Sequence, residues 1–220
     1  MNNDVQVLPE PLAIFGGTFD PVHYGHLRCA VDVRQKLNLK KLYLLPAGTP
    51  VHRDAPRASA KQRLEMLHLA QSEFPSLHID DREIQRSGPS YMVDTLEELR
   101  GEVRQGPILL LIGQDAANLL HTWFQWERLF TLCHIVIMTR PGTKAEYRRD
   151  LAKQIEPRLV SEQQKLLSSE AGMVLHLGVK SIDISATTIK SIIRLRRSPG
   201  SLLPKVVLDY INDNRLYLPA

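Results

Sequence analysis

The chain is poor in cysteine, has no long apolar run and carries little excess charge. Its two cysteines, Cys29 and Cys133, belong to no CxxC pair. That leaves neither a disulfide framework nor a thiolate metal site, and points to free buried thiols in a reducing compartment. The longest apolar run, Ile108 to Ile112, is far short of the roughly 20 residues that cross a bilayer. The opening Met1-Asn2-Asn3-Asp4 has no basic stretch leading into an apolar one, so no secretory signal is expected. A cytoplasmic protein without a membrane partner follows. The formal net charge is +4, and the basic residues are scattered apart from Arg194, Arg196 and Arg197. Such a surplus is too small and dispersed for a nucleic-acid surface, but it suits small anionic ligands.

The remaining composition is that of an ordinary folded protein. With 220 residues, 43% hydrophobic and 24% charged, one large domain over 1–220 is expected. Short apolar runs at Leu12–Phe15, Leu42–Leu45, Leu77–Asp80, Ile108–Ile112, His134–Met138 and Met173–Leu177 read as strands. Helical stretches at 25–37, 60–73, from Ser90 onward, 185–193 and 203–212 alternate with them, and two short ones lie between Asp115 and Phe130. Leu64, Leu67 and Ala70, with Met66 beside them, form the expected inner face of the second helix. Val93, Leu96, Leu99 and Val103 do the same for the helix opened by a Ser90 cap. This alternation predicts an α/β fold, a doubly wound and mainly parallel sheet with helices on both faces. The charged segment 144–170 reads as a peripheral helical insertion, and 185–220 as a C-terminal helical part. Nothing in the sequence distinguishes a monomer from a dimer.

The segment Gly16-Gly17-Thr18-Phe19-Asp20-Pro21-Val22-His23-Tyr24-Gly25-His26 carries the most chemistry. A strand delivers the chain to two glycines, which let backbone N–H groups approach a phosphate. His23 and His26, three residues apart, open the next helix, so both imidazoles can face an anion held at its positive end. Gly25 is expected to leave room for a nucleotide. Two histidines at this spacing are also a metal-ligand pattern, but no third ligand sits nearby. The turn lacks the GxGxxG spacing of dinucleotide-binding redox enzymes.

A second segment, Ile184-Ser185-Ala186-Thr187-Thr188-Ile189-Lys190, begins a helix with hydroxyls in its first turn. Between the two lie Pro46-Ala47-Gly48-Thr49-Pro50-Val51-His52-Arg53, Ser90-Tyr91-Met92-Val93-Asp94-Thr95-Leu96, Gly113-Gln114-Asp115, Trp123 with Phe124, and Arg140-Pro141-Gly142. Trp123 and Trp126, three apart, also read as core residues.

GGTFDPVHYGH resembles the first signature of the HxGH nucleotidyltransferase superfamily. From Ala13 to Tyr217 the chain is similar to the bacterial nicotinate-nucleotide adenylyltransferases. The resemblance implies a Rossmann-like fold and transfer of AMP from ATP to nicotinate mononucleotide, giving nicotinate adenine dinucleotide and pyrophosphate. It assigns catalysis to His23, His26, Arg53 and Lys190. ATP falls to Gly16, Gly17, Thr18, Phe19, Gly25, Gly113, Asp115, Ser185, Thr187 and Thr188 together with both histidines and Lys190. Nicotinate mononucleotide falls to Tyr91, Met92, Asp94, Thr95, Trp123, Phe124 and Arg140. Mg²⁺ is implied, bound chiefly through ATP. Met92 stands where the family pattern has threonine, and Lys190 where it has arginine, which costs the planar fork of a guanidinium. The alternatives are a related adenylyltransferase acting on nicotinamide mononucleotide or phosphopantetheine, and a nucleotide-binding module without turnover.

Overall fold

A computed structural model of the chain describes residues 9–51, 55–103, 105–180 and 184–219. Its elements run β1 (Leu12–Gly17), α1 (Tyr24–Lys36), β2 (Leu42–Pro46), α2 (Ala60–Gln71), β3 (Leu77–Ile79), α3 (Arg82–Gln85), α4 (Met92–Glu102), β4 (Ile108–Gly113) and α5 (Gln114–Asn118). They continue with α6 (Trp126–Leu132), β5 (His134–Thr139), α7 (Arg149–Ile155), β6 (Leu159–Val160), α8 (Gln163–Leu166), β7 (Val174–Gly178), α9 (Ala186–Arg194) and α10 (Lys205–Asp213). The strands form one sheet in the order β3-β2-β1-β4-β5-β7-β6, and every pairing with a described register is parallel. Among the described residues no helix is long and apolar enough to cross a membrane.

The backbone clusters into two compact units, one of residues 1–14 and 91–178, the other of 15–90 and 179–220. β1 contributes residues to both.

In the unit of residues 15–90 and 179–220, α2 opens with a capping box. Ser59 Oγ accepts the Gln62 amide while the Gln62 side chain accepts the Ser59 amide, which satisfies two donors that the first turn leaves open. Its inner face is Arg63, Met66, Leu67 and Ala70. Leu64, expected on that face, is half-buried, because the Arg63 guanidinium takes the inward position. α10 packs against α2 and buries Val207 and Ile211. Each such side chain contributes about 1.5–3 kcal/mol.

In the unit of residues 1–14 and 91–178, Ile108 to Ile112 are consecutively buried. Successive strand residues face opposite ways, so unbroken burial means that both faces are covered, as a doubly wound parallel sheet requires. α4 buries Val93, Thr95, Leu96 and Leu99 and packs on α6. Val103, expected to complete that stripe, ends half-buried just past the helix. Arg100 donates to the carbonyls of Leu132, Gly106 and Glu170, binding the end of α6 and two loops through one guanidinium. His134 is fully buried and bonded at both ring nitrogens, with Nδ1 accepting the Met173 amide and Nε2 facing the Ser169 carbonyl.

The segment 144–170 is more than a helical insertion. Besides α7 and α8 it supplies β6, which pairs with β7 as the edge strand of the sheet. Leu151, Ile155 and Leu166 anchor it in the interior. A two-residue strand is too short to leave a periodic signal.

Candidate active site

The phosphate-type motifs all fall in the unit of residues 15–90 and 179–220, each beginning where a strand ends. β1 runs into the turn at Gly16 and Gly17. Phe19 follows with φ of 51°, its ring 1% exposed and edge-on to Phe15 and His26 at centroid distances of 5.9 and 5.0 Å. A Cβ on Gly17 would stand 2.9 Å from the Phe19 ring. Phe19 thus shapes the turn from inside.

His23 is the extended N-cap residue of α1 and is buried, whereas His26 is half-buried. Their rings stack with centroids 3.7 Å apart and planes inclined by 24°. The expected shared face is therefore present. No acidic residue occupies the first turn of α1 or of α9, so neither positive helix end is locally neutralised. Gly25 serves differently from expectation. A Cβ there would meet His23 at 2.9 Å and the Ile184 carbonyl at 3.2 Å, so the space assigned to a nucleotide is taken up by the imidazole and by the chain entering α9.

At that entry Ser185 caps α9, accepting the Thr188 amide. Ser185, Thr187 and Thr188 are exposed, with the Ser185 and Thr188 hydroxyls 2.8 Å apart. Lys190, one turn on, points its ammonium at Asp20, 3.1 Å away. Arg53 lies outside the described residues.

Asp20 organises this unit, although its role was not read from the sequence. It is 5% exposed and accepts from the Tyr217 hydroxyl at 2.7 Å, the Arg57 and Ala58 amides at 3.1 Å each, and Lys190. Burial opposes its ionisation, but the Tyr217 hydroxyl, the Arg57 amide and Lys190 outweigh that and hold its carboxyl below the usual carboxylate range. Arg63, 1% exposed, donates to the Thr18 and Gly48 carbonyls and feels the Asp20 charge. The signal available was an aspartate inside the richest motif of the chain, but its partners lie 37 to 197 positions away.

Ser90 departs from its expected role as a helix cap. Tyr91 occupies the N-cap position of α4 and gives no side-chain cap. The Ser90 hydroxyl instead accepts the Gly48 and Thr49 amides and fixes the loop after β2.

The residues assigned to the second substrate, with Gly113 and Asp115, belong to the other unit. The rings of Tyr91 and Phe124 lie 4.5 Å apart, and Phe124 is 46% exposed. Trp123, Trp126, Met92 and Asp94 are half-buried, so neither tryptophan is a core residue. Thr95 is fully buried, with its hydroxyl 3.5 Å from the Tyr91 carbonyl. Its amide also donates to the Tyr91 carbonyl, so Thr95 packs within α4 and offers no exposed group to a ligand. Asp115 is exposed at the head of α5, just past Gly113. Arg140 is exposed after β5 in a turn that Thr143 closes. Among the described residues no three His, Cys, Asp or Glu side chains converge as a metal set.

A family model described as cytidylyltransferase-like matches residues 14–192. The "probable nicotinate-nucleotide adenylyltransferase" of Methylococcus capsulatus is 44% identical over 94% of this chain and 99% of its own. That of Halorhodospira halophila is 42% identical over 94% of each. The chain belongs to the nicotinate-nucleotide adenylyltransferase family.

The fold agrees with this membership. The solved Plasmodium falciparum nicotinic acid mononucleotide adenylyltransferase complexed with NaAD aligns with a TM-score of 0.73, 14% identity, and 95% and 98% coverage of the two chains. The same enzyme complexed with APC gives a TM-score of 0.70. In this adenylyltransferase the motifs expected to meet phosphate thus fall in one unit and those expected to meet the pyridine ring in the other, and Asp20 with its donors lies in the former.

Proposed function

We propose that the protein transfers the AMP part of ATP to nicotinate mononucleotide, forming nicotinate adenine dinucleotide and releasing pyrophosphate. The observation that carries the reading is the stacked pair His23 and His26 at the acid-free head of α1. Two imidazoles and a helix N-terminus in one place form a preorganised donor set for phosphate oxygens.

The attacking atom is a phosphate oxygen of the mononucleotide, largely ionised near neutral pH because its second pKa is about 6. No general base is required. It displaces pyrophosphate at the ATP α-phosphorus, so one P–O bond forms as another breaks. His23 and His26 donate to the α- and β-phosphates, and the backbone of Gly16, Gly17 and Thr18 lines the same turn. Ser185, Thr187 and Thr188 receive the triphosphate at the head of α9, with Arg53 and Lys190 supplying positive charge. Asp115 accepts from ribose hydroxyls. Positioning and electrostatics then supply most of the acceleration. Mg²⁺, held chiefly by phosphate oxygens and water, neutralises phosphate charge when bound with ATP.

For the second substrate, the first turn of α4 has no side-chain cap, which leaves amides of Met92 and its neighbours for the ring carboxylate. Trp123 stacks on the pyridinium, a cation–π contact of about 0.5–2 kcal/mol. Tyr91, Phe124 and Arg140 complete the set.

The test incubates the protein with ATP and Mg²⁺ and, in parallel, nicotinate mononucleotide, nicotinamide mononucleotide and phosphopantetheine. Pyrophosphate release should be fastest with the first. Nucleotide binding without release in any of the three would instead establish a non-catalytic module.

A further inference from the structure

The reaction assigned above uses nothing from the segment 144–170, yet the first residues of that segment are tied to α5, the helix that carries Asp115. α5 has five residues and no side-chain cap. An isolated helix shorter than about 12 residues is marginal in water, so the orientation of Asp115 is set by what α5 is bonded to. Gln114 and Asn118 stand at the two ends of α5, one turn apart. Gln114 is 3% exposed, and its side-chain nitrogen donates to Asn118 Oδ1 at 2.9 Å and to the Tyr147 hydroxyl at 3.1 Å. Asn118 Oδ1 also accepts the Glu146 amide at 3.0 Å, and its Nδ2 donates to the Lys144 carbonyl at 3.1 Å. On its far side the Tyr147 hydroxyl lies 3.4 Å from His176 Nε2 on β7. Asp115, next in the chain to the buried Gln114, turns outward and is exposed.

We propose that Gln114, Asn118 and Tyr147 are positioning residues, which seat α5 on the segment 144–147 and thereby aim the Asp115 carboxylate at the ribose hydroxyls of ATP. The inference rests on the role given to Asp115 above and supplies what holds that residue in place. A binding group works only when held within about 0.5 Å of its productive geometry. Loss of one anchor lets the short helix pivot, and Asp115 moves with it. The effect is confined to the sugar, because the anchors touch no group assigned to the phosphates or to the pyridine ring.

Calorimetric titration of the whole protein with ATP, 2′-deoxy-ATP and 3′-deoxy-ATP, without the second substrate, reads the sugar contact directly. Wild type should bind ATP about tenfold more tightly than at least one deoxy analogue, the scale of one hydrogen bond to a charged group. Asp115→Ala should abolish that preference. Tyr147→Phe, which removes a hydroxyl and keeps the ring, and Asn118→Ala should each reduce it to about threefold or less. In an Asp115→Ala background, Tyr147→Phe should weaken ATP binding no further, since both act through one carboxylate. In turnover, KM for ATP should rise in Tyr147→Phe while KM for nicotinate mononucleotide holds. Variants of Tyr147 and Asn118 that melt earlier but keep the full preference would overturn the positioning role and leave that of Asp115 standing. A preference that survives Asp115→Ala, or none in wild type, would overturn both. A preference that depends on Tyr147 and Asn118, in a protein that releases no pyrophosphate with nicotinate mononucleotide, would support the network and overturn the reaction assigned above.

Discussion

His26 and Gly25 show how little of the phosphate turn is spare. His26→Ala removes one preorganised donor and should lower turnover by about a hundredfold or more, with the melting temperature little changed. A steady-state assay beside a thermal melt reads both. Near-normal turnover would end the assignment of His26. Gly25→Ala acts by another route. Its methyl group would stand 2.9 Å from the His23 ring and 3.2 Å from a backbone carbonyl that cannot swing away. His23 must move, and if it acts on the phosphates as proposed, a displacement on the order of 1 Å should cost about a hundredfold. The double variant should then lose less than the product of the two, because both act on one stacked pair. Cys133 offers a contrast without function. Burial pushes its thiol up to about 12, so it should resist alkylation at pH 8 in the native protein and react only on unfolding, as a timed thiol assay in rising urea would show.

At the scale of elements, Arg100 and Ser90 each join segments whose contiguity the sequence conceals. Arg100→Met keeps the apolar stem of the side chain but leaves the carbonyls of Gly106, Leu132 and Glu170 without their guanidinium partner. A loss of about 2–4 kcal/mol in urea-induced unfolding is expected, with substrate KM values nearly unchanged. Ser90→Ala should act in the opposite pattern. It frees the amides of Gly48 and Thr49, loosens the loop that leads to Arg53, and raises KM for ATP more than it lowers stability. Periodicity and turn residues located nearly every long element of this chain, because alternating burial and glycine or proline breaks are local properties. The exceptions follow one rule. Ser90 looked like a cap because it precedes a helix, yet its hydroxyl is claimed by a loop about forty residues earlier. β6 was invisible because its two residues pair with β7 through backbone alone. Arg63 was passed over in favour of Leu64 because a buried arginine makes sense only once the carbonyls of Thr18 and Gly48 are in place.

Across the whole molecule, buried titratable groups set how stability depends on pH. His134 is desolvated, and burial lowers its pKa below 6.5 despite the Ser169 carbonyl. The unfolded chain therefore takes up a proton near 6.5 that the folded chain refuses. His134 contributes stability that is present above about pH 6.5 and is lost as the pH falls through its lower folded value. His176, whose pKa burial also lowers, acts in the same sense. Asp20, held below its ordinary 3.8, contributes stability above that value which is lost in stronger acid. Urea midpoints should fall from pH 7.5 to 5.5, and by less in His134→Gln, which keeps a donor and an acceptor without titrating. An equal fall in that variant would assign the dependence elsewhere. The family signature made the reaction legible from a few contiguous residues, whereas the bracing of the site was not, since Asp20 draws its donors from the loop after β2, from α9 and from beyond α10.

The bond between Tyr217 and Asp20 spans 197 positions, and this has a consequence for biosynthesis. A ribosome places Asp20 early and Tyr217 almost two hundred residues later, so the turn that carries Asp20 gains this brace only after Tyr217 has emerged. A polypeptide cut short between His26 and Tyr217 carries the full HxGH signature yet lacks one of its anchors. Synthesis at least as far as Tyr217 is thereby needed before this anchor of the turn is in place.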